Sequence, residues 1–198
     1  MESEVTDDIE GGLAGLDGGG HRLLTVNALR WRMLDERYAA DRPRWGFRLS
    51  DAGRAALLGY LGGGGSLLAV HTAAICFDDW PEWGDIVGAA WVWGASAHPP
   101  PGPVAVRLGG SHPIVAGLDD FTVVDEVYGF MAVRPDVVPL AGAAHGGAEH
   151  PLLWARRFGP ARVVYDALGH DAASLSHPVH RTILQRAARW LVEVPCAT

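Results

Sequence analysis

The stretch from residue 62 to residue 77, GGGGSLLAVHTAAICF, decides the fold. Its apolar run from Ser66 to Val70 follows a glycine tract, which is typical of a buried β-strand, and His71 begins a sharp turn into a helix. In an α/β protein, a side chain at such a turn stands at the carboxyl end of the sheet, where ligands usually bind. An imidazole titrates near neutral pH and is a common metal ligand. His71 is therefore the first candidate functional residue.

Apolar strands and amphipathic helices alternate along the rest of the chain. A helix capped by Ser50 precedes the glycine tract, and a helix opened by Pro178 carries Ile183 and Leu191 on one face. This alternation predicts an α/β fold with a mostly parallel sheet that is covered on both faces. Further strands are predicted at residues 23–26, 103–108, 121–128, 137–141 and 161–168, helices at 7–16 and 82–87, and a loop with a short helix at 149–158.

Length and composition indicate one domain. The 198 residues are 48% hydrophobic and 20% charged, which suits a single core. We expect one domain over residues 1–198, with a partial N-terminal element at 1–20 and the core at 21–194. Because doubly wound domains normally open with a strand, and the first convincing strand here begins at Leu23, an N-terminal strand and helix are expected to be lacking.

The charged residues exclude several classes of function. The net charge is −7 and the arginines are scattered, so neither nucleic acid nor a membrane surface is an expected partner. The chain has no lysine, which removes phosphate-loop and Schiff-base lysine mechanisms. The two cysteines are unpatterned, and neither a signal core nor a membrane-length apolar stretch is visible. These features predict a cytoplasmic protein.

Three histidines are candidates for one site. His71 and His170 each follow a predicted strand, and strands of one direction end at the same edge of a sheet, so these imidazoles should meet. His98 follows a tryptophan-rich region that should cover that edge. For any one of them the alternative is a hydrogen-bonded structural residue. His177 and His180, near the start of the last helix, are interpreted as surface residues.

A carboxylate is expected beside these histidines. Asp125 and Glu126 end an apolar strand and face opposite ways, so only one can enter a given pocket, and we predict Glu126. It can orient an imidazole, act as a general base or complete a metal site with His71, His98 and His170 as candidate ligands. The metal would be a divalent ion such as zinc. No His-Glu-x-x-His spacing is present, so spacing alone does not choose between these roles.

Aromatic residues follow His71 closely. Trp80 and Trp83 lie in the acidic segment DDWPEW at residues 78–83, and two more tryptophans come soon after. Their rings suit either the core or stacking against a sugar. We predict Trp80, Trp83, His98 and Tyr128 as residues that bind substrate.

Five short motifs occur in order along the chain: GGGGSLLAVHTA at 62–73, HPIVAGL at 112–118, VDEVY at 124–128, PLLW at 151–154 and RVVYDALGH at 162–170. This ordered set resembles the ThuA-like, trehalose-utilisation family. The resemblance implies a flavodoxin-like three-layer α/β/α sandwich related to class I glutamine amidotransferases. It also implies a role in the metabolism of trehalose or related sugars, on keto-sugar intermediates. In those amidotransferases a nucleophilic cysteine occupies the turn where His71 stands, so glutaminase activity is not expected.

Two functional hypotheses stay open. The first is an enzyme, an isomerase, lyase or hydrolase of a sugar or keto-sugar, with His71, Glu126 and His170 as catalytic residues. The second is a non-catalytic carbohydrate-binding or regulatory domain. In both, the partner is a small sugar, and a homo-oligomer is left open. Convergence of the three side chains on one cavity is the feature that the enzyme hypothesis requires.

Overall fold

The computed structural model describes residues 2–18 and 20–193. Within these residues the helices are α1 (Ile9–Ala14), α2 (Arg42–Trp45), α3 (Asp51–Gly62), α4 (Pro81–Val87), α5 (Ala172–Ser176) and α6 (Pro178–Val192). The strands are β1 (Leu23–Val26), β2 (Ser66–Val70), β3 (Ala89–Ala90), β4 (Gly102–Leu108), β5 (Phe121–Asp125), β6 (Ala132–Val133), β7 (Val138–His145), β8 (Ala148–Phe158) and β9 (Ala161–Asp166). None of the described helices has the length and apolar character needed to cross a bilayer.

The main sheet is mixed, and the prediction of a mostly parallel sheet is wrong. Its strand order is β1-β2-β9-β8-β7-β4-β5. β2 pairs in parallel with β1 and β9, whereas the four remaining neighbouring pairs are antiparallel. The α/β fold therefore contains a sheet with a parallel half, β1-β2-β9, and an antiparallel half, β8-β7-β4-β5.

The difference arises at residues 149–158, where the sequence predicts a loop with a short helix. These residues instead form most of β8, an eleven-residue strand. Residues 152–156 are all buried, so the polar alternation that marks a half-exposed strand is missing. Short turns at Gly146 and Gly159 connect β8 to its neighbours, and connections this short permit only antiparallel pairing.

The carboxyl ends of β2, β9 and β5 meet although the sheet separates them. Four antiparallel steps lead from β9 to β5, so β5 again runs in the direction of β9. In a flat sheet four steps of strand spacing would place β5 about 19 Å away. The backbone N–H of Gly169, after β9, nevertheless donates to Asp125 Oδ2 at 2.8 Å. The sheet is thus curled, and its curl brings these strand ends together.

The core surrounds β2, whose five residues are all buried. Helix α3 begins as predicted, with the Ser50 side chain accepting a hydrogen bond from Gly53 N. Helix α6 packs against β1, β2 and β9 and buries Ile183 and Leu191. After β2 the chain enters a 3₁₀ helix, His71–Ile75. This turn places His71 at the carboxyl edge of the sheet.

Candidate active site

His71 occupies a constrained turn at the end of β2. Its backbone φ is +51°, a left-handed conformation that side chains other than glycine adopt uncommonly and that recurs at functional sites. Tyr165 donates a 2.8 Å hydrogen bond to the carbonyl of His71. His71 Nδ1 lies 2.8 Å from the carbonyl oxygen of Ala167, which only accepts. Nδ1 therefore carries a proton, and the lone pair of neutral His71 is on Nε2.

Glu126 lies among three imidazoles. Its Oε2 is 3.6 Å from His71 Nε2. Its Oε1 is 3.1 Å from His98 Nδ1 and 3.4 Å from His170 Nδ1. The Glu126 and His71 side chains are each 7% exposed, whereas those of His98 and His170 are 39% and 38% exposed, so one side of the group faces solvent. We call His71, His98, Glu126 and His170 the glutamate cluster.

The three catalytic candidates thus converge, together with His98. The antiparallel half of the sheet also contributes to this edge, because Glu126 directly follows β5. Nε2 of His71 also lies 3.3 Å from the Tyr128 hydroxyl, and the two rings are 4.7 Å apart. Burial raises the pKa of Tyr128, and the charge of Glu126 raises it further, so the phenol stays protonated. Tyr128 can therefore donate a hydrogen bond at this site.

The cluster has the composition of a divalent metal site. Three potential ligand atoms lie within 4.8 Å of one another, one each from His71, Glu126 and His170. Two imidazoles and one carboxylate are a ligand set of catalytic zinc. The hydrogen bond from His71 Nδ1 to a backbone carbonyl is the outer contact that typically orients a metal-binding histidine. These residues therefore fit a divalent ion as well as they fit acid–base chemistry.

Trp80 and Trp83 do not line this cluster. Trp80 is 6% exposed and Trp83 is 2% exposed, and their rings stack with centroids 6.5 Å apart. Trp83 Nε1 donates to the carbonyl of Ala73 at 2.8 Å, beneath the His71 turn. These two indoles therefore do not fit the predicted role of a sugar platform, because neither offers an open ring face.

The aromatic wall of the cluster is instead Trp91. Its ring centroid is 5.3 Å from that of Tyr128 and 6.1 Å from that of His98. The Trp93 ring centroid lies 6.4 Å from that of Trp91, and Trp93 is 47% exposed. Ser96 holds this segment by accepting from Val92 N and donating to the Phe130 carbonyl. Sequence placed Trp91 in the aromatic region but did not single it out.

Cys76 is not a nucleophile in this structure. Its thiol is buried and donates to the Ala28 carbonyl at 3.1 Å, while Arg30 N donates to the sulfur. Burial raises the pKa of Cys76 to about 12. A thiol with this pKa is protonated at neutral pH, so thiolate chemistry is disfavoured.

A second group of polar side chains lies behind the cluster. Asp125 accepts hydrogen bonds from the backbone N–H groups of Glu126, at 2.7 Å, and Gly169, at 2.8 Å. The Ser174 hydroxyl donates to Asp125 Oδ2, and His180 joins Ser174 to Asp166. We call Asp125, Asp166, Ser174 and His180 the aspartate network.

The prediction that His180 is a surface residue is wrong, since it is fully buried. The helical spacing indicates this burial, because residue 180 lies on the same face of α6 as Ile183, Ala187 and Leu191. His177 is half-buried against Phe121, with the rings stacked at 5.0 Å.

A cleft of about 630 Å³ lies on a different part of the surface. Its charged residues already pair with one another, as in the 2.8 Å contact of Arg54 with Asp79 and the 3.3 Å contact of Arg32 with Asp78. The cleft contains none of the glutamate cluster. The cluster is therefore the better candidate for chemistry.

The fold and the geometry define a class: an α/β domain with histidines and a glutamate at the carboxyl ends of its strands. The chain matches the family model of ThuA, trehalose utilisation, over residues 44–191. It belongs to the ThuA family. No match was found among curated proteins.

Solved structures agree with this fold. A ThuA-like protein from Parabacteroides merdae ATCC 43184 is 20% identical, with a TM-score of 0.74, over 99% of this chain and 80% of that chain. One from Bacteroides uniformis ATCC 8492 is 18% identical, with a TM-score of 0.73, over 96% and 76% of the two chains. A cytoplasmic protein from Salmonella typhimurium is 11% identical, with a TM-score of 0.61, over 95% and 76%. At these identities the likeness shows the fold alone.

Proposed function

We propose that this protein is a cytoplasmic enzyme that acts on trehalose or a related sugar in its oxidised, keto form. The glutamate cluster is its catalytic centre, and its partner is the small-molecule sugar. The single observation that carries the proposal is the convergence of three imidazoles on one carboxylate at a solvent-facing edge of the sheet. Membership of the trehalose-utilisation family supports the substrate class.

Acid–base chemistry uses the cluster as follows. A ketone makes the hydrogen on its neighbouring carbon acidic, and Glu126 or the free Nε2 of His71 removes that proton. The Tyr128 hydroxyl or a protonated His170 then donates a hydrogen bond to the developing enolate oxygen. Return of the proton to a different atom gives isomerisation, and loss of a neighbouring group gives elimination. Each step requires only groups that already lie around Glu126.

Metal-assisted chemistry uses the same residues differently. His71, Glu126 and His170 would hold a divalent ion such as zinc, with His98 as a further candidate ligand. The ion would polarise the sugar carbonyl or acidify a water. In that case Tyr128 and Trp91 position the substrate, and the Ala167 carbonyl keeps His71 in the correct orientation.

Trp91 is our proposed sugar platform in place of Trp80 and Trp83. An indole face next to polar side chains binds the apolar face of a pyranose ring. Its contacts with Tyr128 and His98 make the aromatic surface continuous with the glutamate cluster. Trp93, which is exposed beside it, would extend that surface toward a second sugar unit.

We further propose that the fold is a variant of the flavodoxin-like three-layer sandwich. The parallel triplet β1-β2-β9 supports this, as does the packing of both α4 and α6 against β9. His71 then stands at the turn where class I glutamine amidotransferases carry their cysteine. Buried Cys76 offers no replacement nucleophile, so glutaminase activity is not part of the proposal.

The test combines metal analysis with turnover. Wild-type protein and His71→Ala are purified in parallel, their metal content is measured, and both are assayed on trehalose oxidised to its ketone. We expect turnover to fall by about 10²–10⁴-fold in the variant. Loss of metal in the variant selects the metal-assisted route, and equal metal content selects the acid–base route.

His112→Gln is the matched control, because His112 packs on Trp190 and lies outside the cluster. The control should keep wild-type turnover. Wild-type turnover in His71→Ala would contradict the proposal. Absence of turnover in the wild type, with the ketone bound and unchanged, would favour a non-catalytic carbohydrate-binding domain instead.

A further inference from the structure

The aspartate network connects the ends of two strands that are four steps apart in the sheet order. Asp166 ends β9, Asp125 ends β5, and His180 lies in α6. Asp125, Ser174 and His180 are 0% exposed and Asp166 is 1% exposed. Buried polar groups on this scale are tolerated only where their hydrogen-bonding capacity is satisfied. The positions of their protons can therefore be deduced from their partners.

Ser174 has one hydroxyl proton, and the contacts decide where it goes. Asp125 Oδ2 faces the hydroxyl and accepts its proton. The Ser174 oxygen is then an acceptor toward His180 Nδ1, which lies 3.2 Å away. The Ser174 carbonyl, 2.9 Å from the same nitrogen, is also an acceptor. Nδ1 must therefore be protonated.

The other ring nitrogen of His180 leads to the same result. Nε2 lies 2.9 Å from Asp166 Oδ2, a carboxylate oxygen, and so donates as well. A histidine that donates from both nitrogens is an imidazolium. Burial by itself lowers the pKa of His180, but the charge and hydrogen bond of Asp166, the Ser174 carbonyl and the charge of Asp125 together raise it.

The turn at residues 167–170 is held by the two carboxylates. Asp166 Oδ1 accepts from Leu168 N at 3.0 Å, and Asp125 accepts from Gly169 N at 2.8 Å and more weakly from His170 N at 3.4 Å. The turn carries His170, and its Ala167 carbonyl orients His71. Two members of the glutamate cluster therefore depend on this one turn.

We propose that His180 is a positioning residue whose imidazolium bridges Asp166 and Ser174 and thereby fixes the turn that orients His71 and His170. Without the cation, the carboxylates that hold the turn would repel each other across a buried space. The charged groups facing His180 are Asp166 from β9 and, through Ser174, Asp125 from β5. β1, β2 and α5 also pack on α6 and present no ionisable side chain, since their sequences are LLTV, SLLAV and AASLS.

The first test observes the protons directly by NMR. Protein labelled with ¹⁵N-histidine is examined near pH 7 with two-bond ¹H–¹⁵N correlation, and His180 is assigned from its absence in His180→Gln. We expect both ring nitrogens of His180 at imidazolium shifts. An unprotonated nitrogen in His180 overturns the proposal.

The second test asks whether the turn transmits the effect to His71. The wild-type spectrum should show the Nδ1–H tautomer of His71 protected from solvent exchange by Ala167. In His180→Gln that exchange should accelerate by about tenfold or more, as expected for loss of hydrogen bonds to a charged group. If this variant fails to fold, Ser174→Ala, which removes the bridge to Asp125 with a smaller change of volume, is expected to give the same acceleration.

Controls separate positioning from stability. The unfolding midpoint is measured for each variant, and His112→Gln should leave the His71 signals unchanged. A lower midpoint with unchanged His71 exchange would mean a merely structural role and would overturn the proposal, as would an equal acceleration in the control. The inference rests on the proposed function only for the importance of the cluster. Because these spectra do not use turnover, either proposal can fail while the other stands.

Discussion

The glutamate cluster and the aspartate network contain similar groups, yet their hydrogen bonding differs. In the cluster, the carboxylate of Glu126 is approached by three imidazoles at 3.1–3.6 Å, and one side faces solvent. In the network, Asp125 receives backbone donors at 2.7 and 2.8 Å within a closed interior. The network is satisfied by the protein alone, whereas the cluster is left able to bind something else.

This difference distinguishes scaffold from site, although Asp125 and Glu126 are neighbours in sequence. Catalytic hydrogen bonds are often long in the absence of substrate and shorten when it binds. Buried carboxylates that accept hydrogen bonds from backbone N–H groups instead stabilise the fold, and removal of one partner destabilises the protein. Substitution of equivalent groups in the two regions should therefore have unequal effects on stability and on turnover.

The largest expected effect on stability is the contrast between Asp125→Asn and Glu126→Gln. Each change replaces one carboxylate oxygen with an amide NH₂. Asp125→Asn should reduce the free energy of unfolding by about 3–5 kcal/mol, because a buried charged acceptor is lost beside His180. Glu126→Gln should change it by less than about 1 kcal/mol, because active-site charges seldom contribute to stability. Urea denaturation of both variants measures this contrast. An equal decrease in the free energy of unfolding would show that the two carboxylates do not differ in their contribution to stability.

A smaller effect is expected at Gly169, in the turn between the two regions. Its φ is +117°, and an added Cβ would lie 3.1 Å from Val70 Cγ1 and 3.2 Å from Leu175 Cδ2. Gly169→Ala should therefore destabilise the fold by about 1–3 kcal/mol and also lower turnover by displacing His170. Gly159→Ala is the matched control, since Gly159 also has a positive φ of +55° but open space around it. A Gly169→Ala protein no less stable than the control would show that the turn is not constrained.

The pH dependence of stability should report the protonation of His180 in the network. The pKa of His180 is raised above its ordinary value of 6.5 in the folded protein. Its contribution is therefore complete below pH 6.5 and is lost as the pH rises through the raised value. Urea midpoints measured from about pH 6 to about pH 9 should fall in the wild type and fall less in His180→Gln. The raised pKa of Cys76, about 12 in the folded protein, also lowers stability toward pH 9, because the unfolded thiol ionises at about pH 8.5. This contribution is the same in both proteins, so the difference between them reports His180.

The smallest expected effect is on substrate binding by the aromatic wall. Trp91→Ala should raise KM by about twofold to tenfold, as expected for loss of one aromatic stacking contact, with little change in kcat. Trp45→Ala is a suitable control because Trp45 is 42% exposed and lies in α2, outside the cluster. An unchanged KM in Trp91→Ala would show that this indole is not the sugar platform.

Local patterns in the sequence were sufficient to predict β2, β9 and the turn at His71. Both apolar runs are too short for a typical helix and follow glycines, and these two features together indicate a buried strand. The pairing of the remaining strands was not predictable, because β8 is buried on both faces and resembles a short helix or loop in sequence. Glu126 comes to His71 only because the sheet curls, and this curl is a property of the whole sheet that no local pattern contains.

Burial was the property that sequence predicted least well. Trp80 and Trp83 have the acidic surroundings of a binding surface, yet both indoles are buried, and that of Trp83 donates to the turn that follows His71. His180 has the polarity of a surface residue, yet Asp166 and Ser174 satisfy both of its nitrogens in the interior. Both outcomes depend on partners that are distant in sequence, and a local pattern does not contain them.

Turnover by the Glu126→Gln protein tests the central claim most directly. The measurement is the rate of consumption of ketone-form trehalose by this variant and by the wild type, with both shown to be folded by circular dichroism. If the glutamate cluster is the catalytic centre, the folded variant should be slower by about 10²–10⁴-fold. A folded Glu126→Gln protein with the wild-type rate would contradict the account.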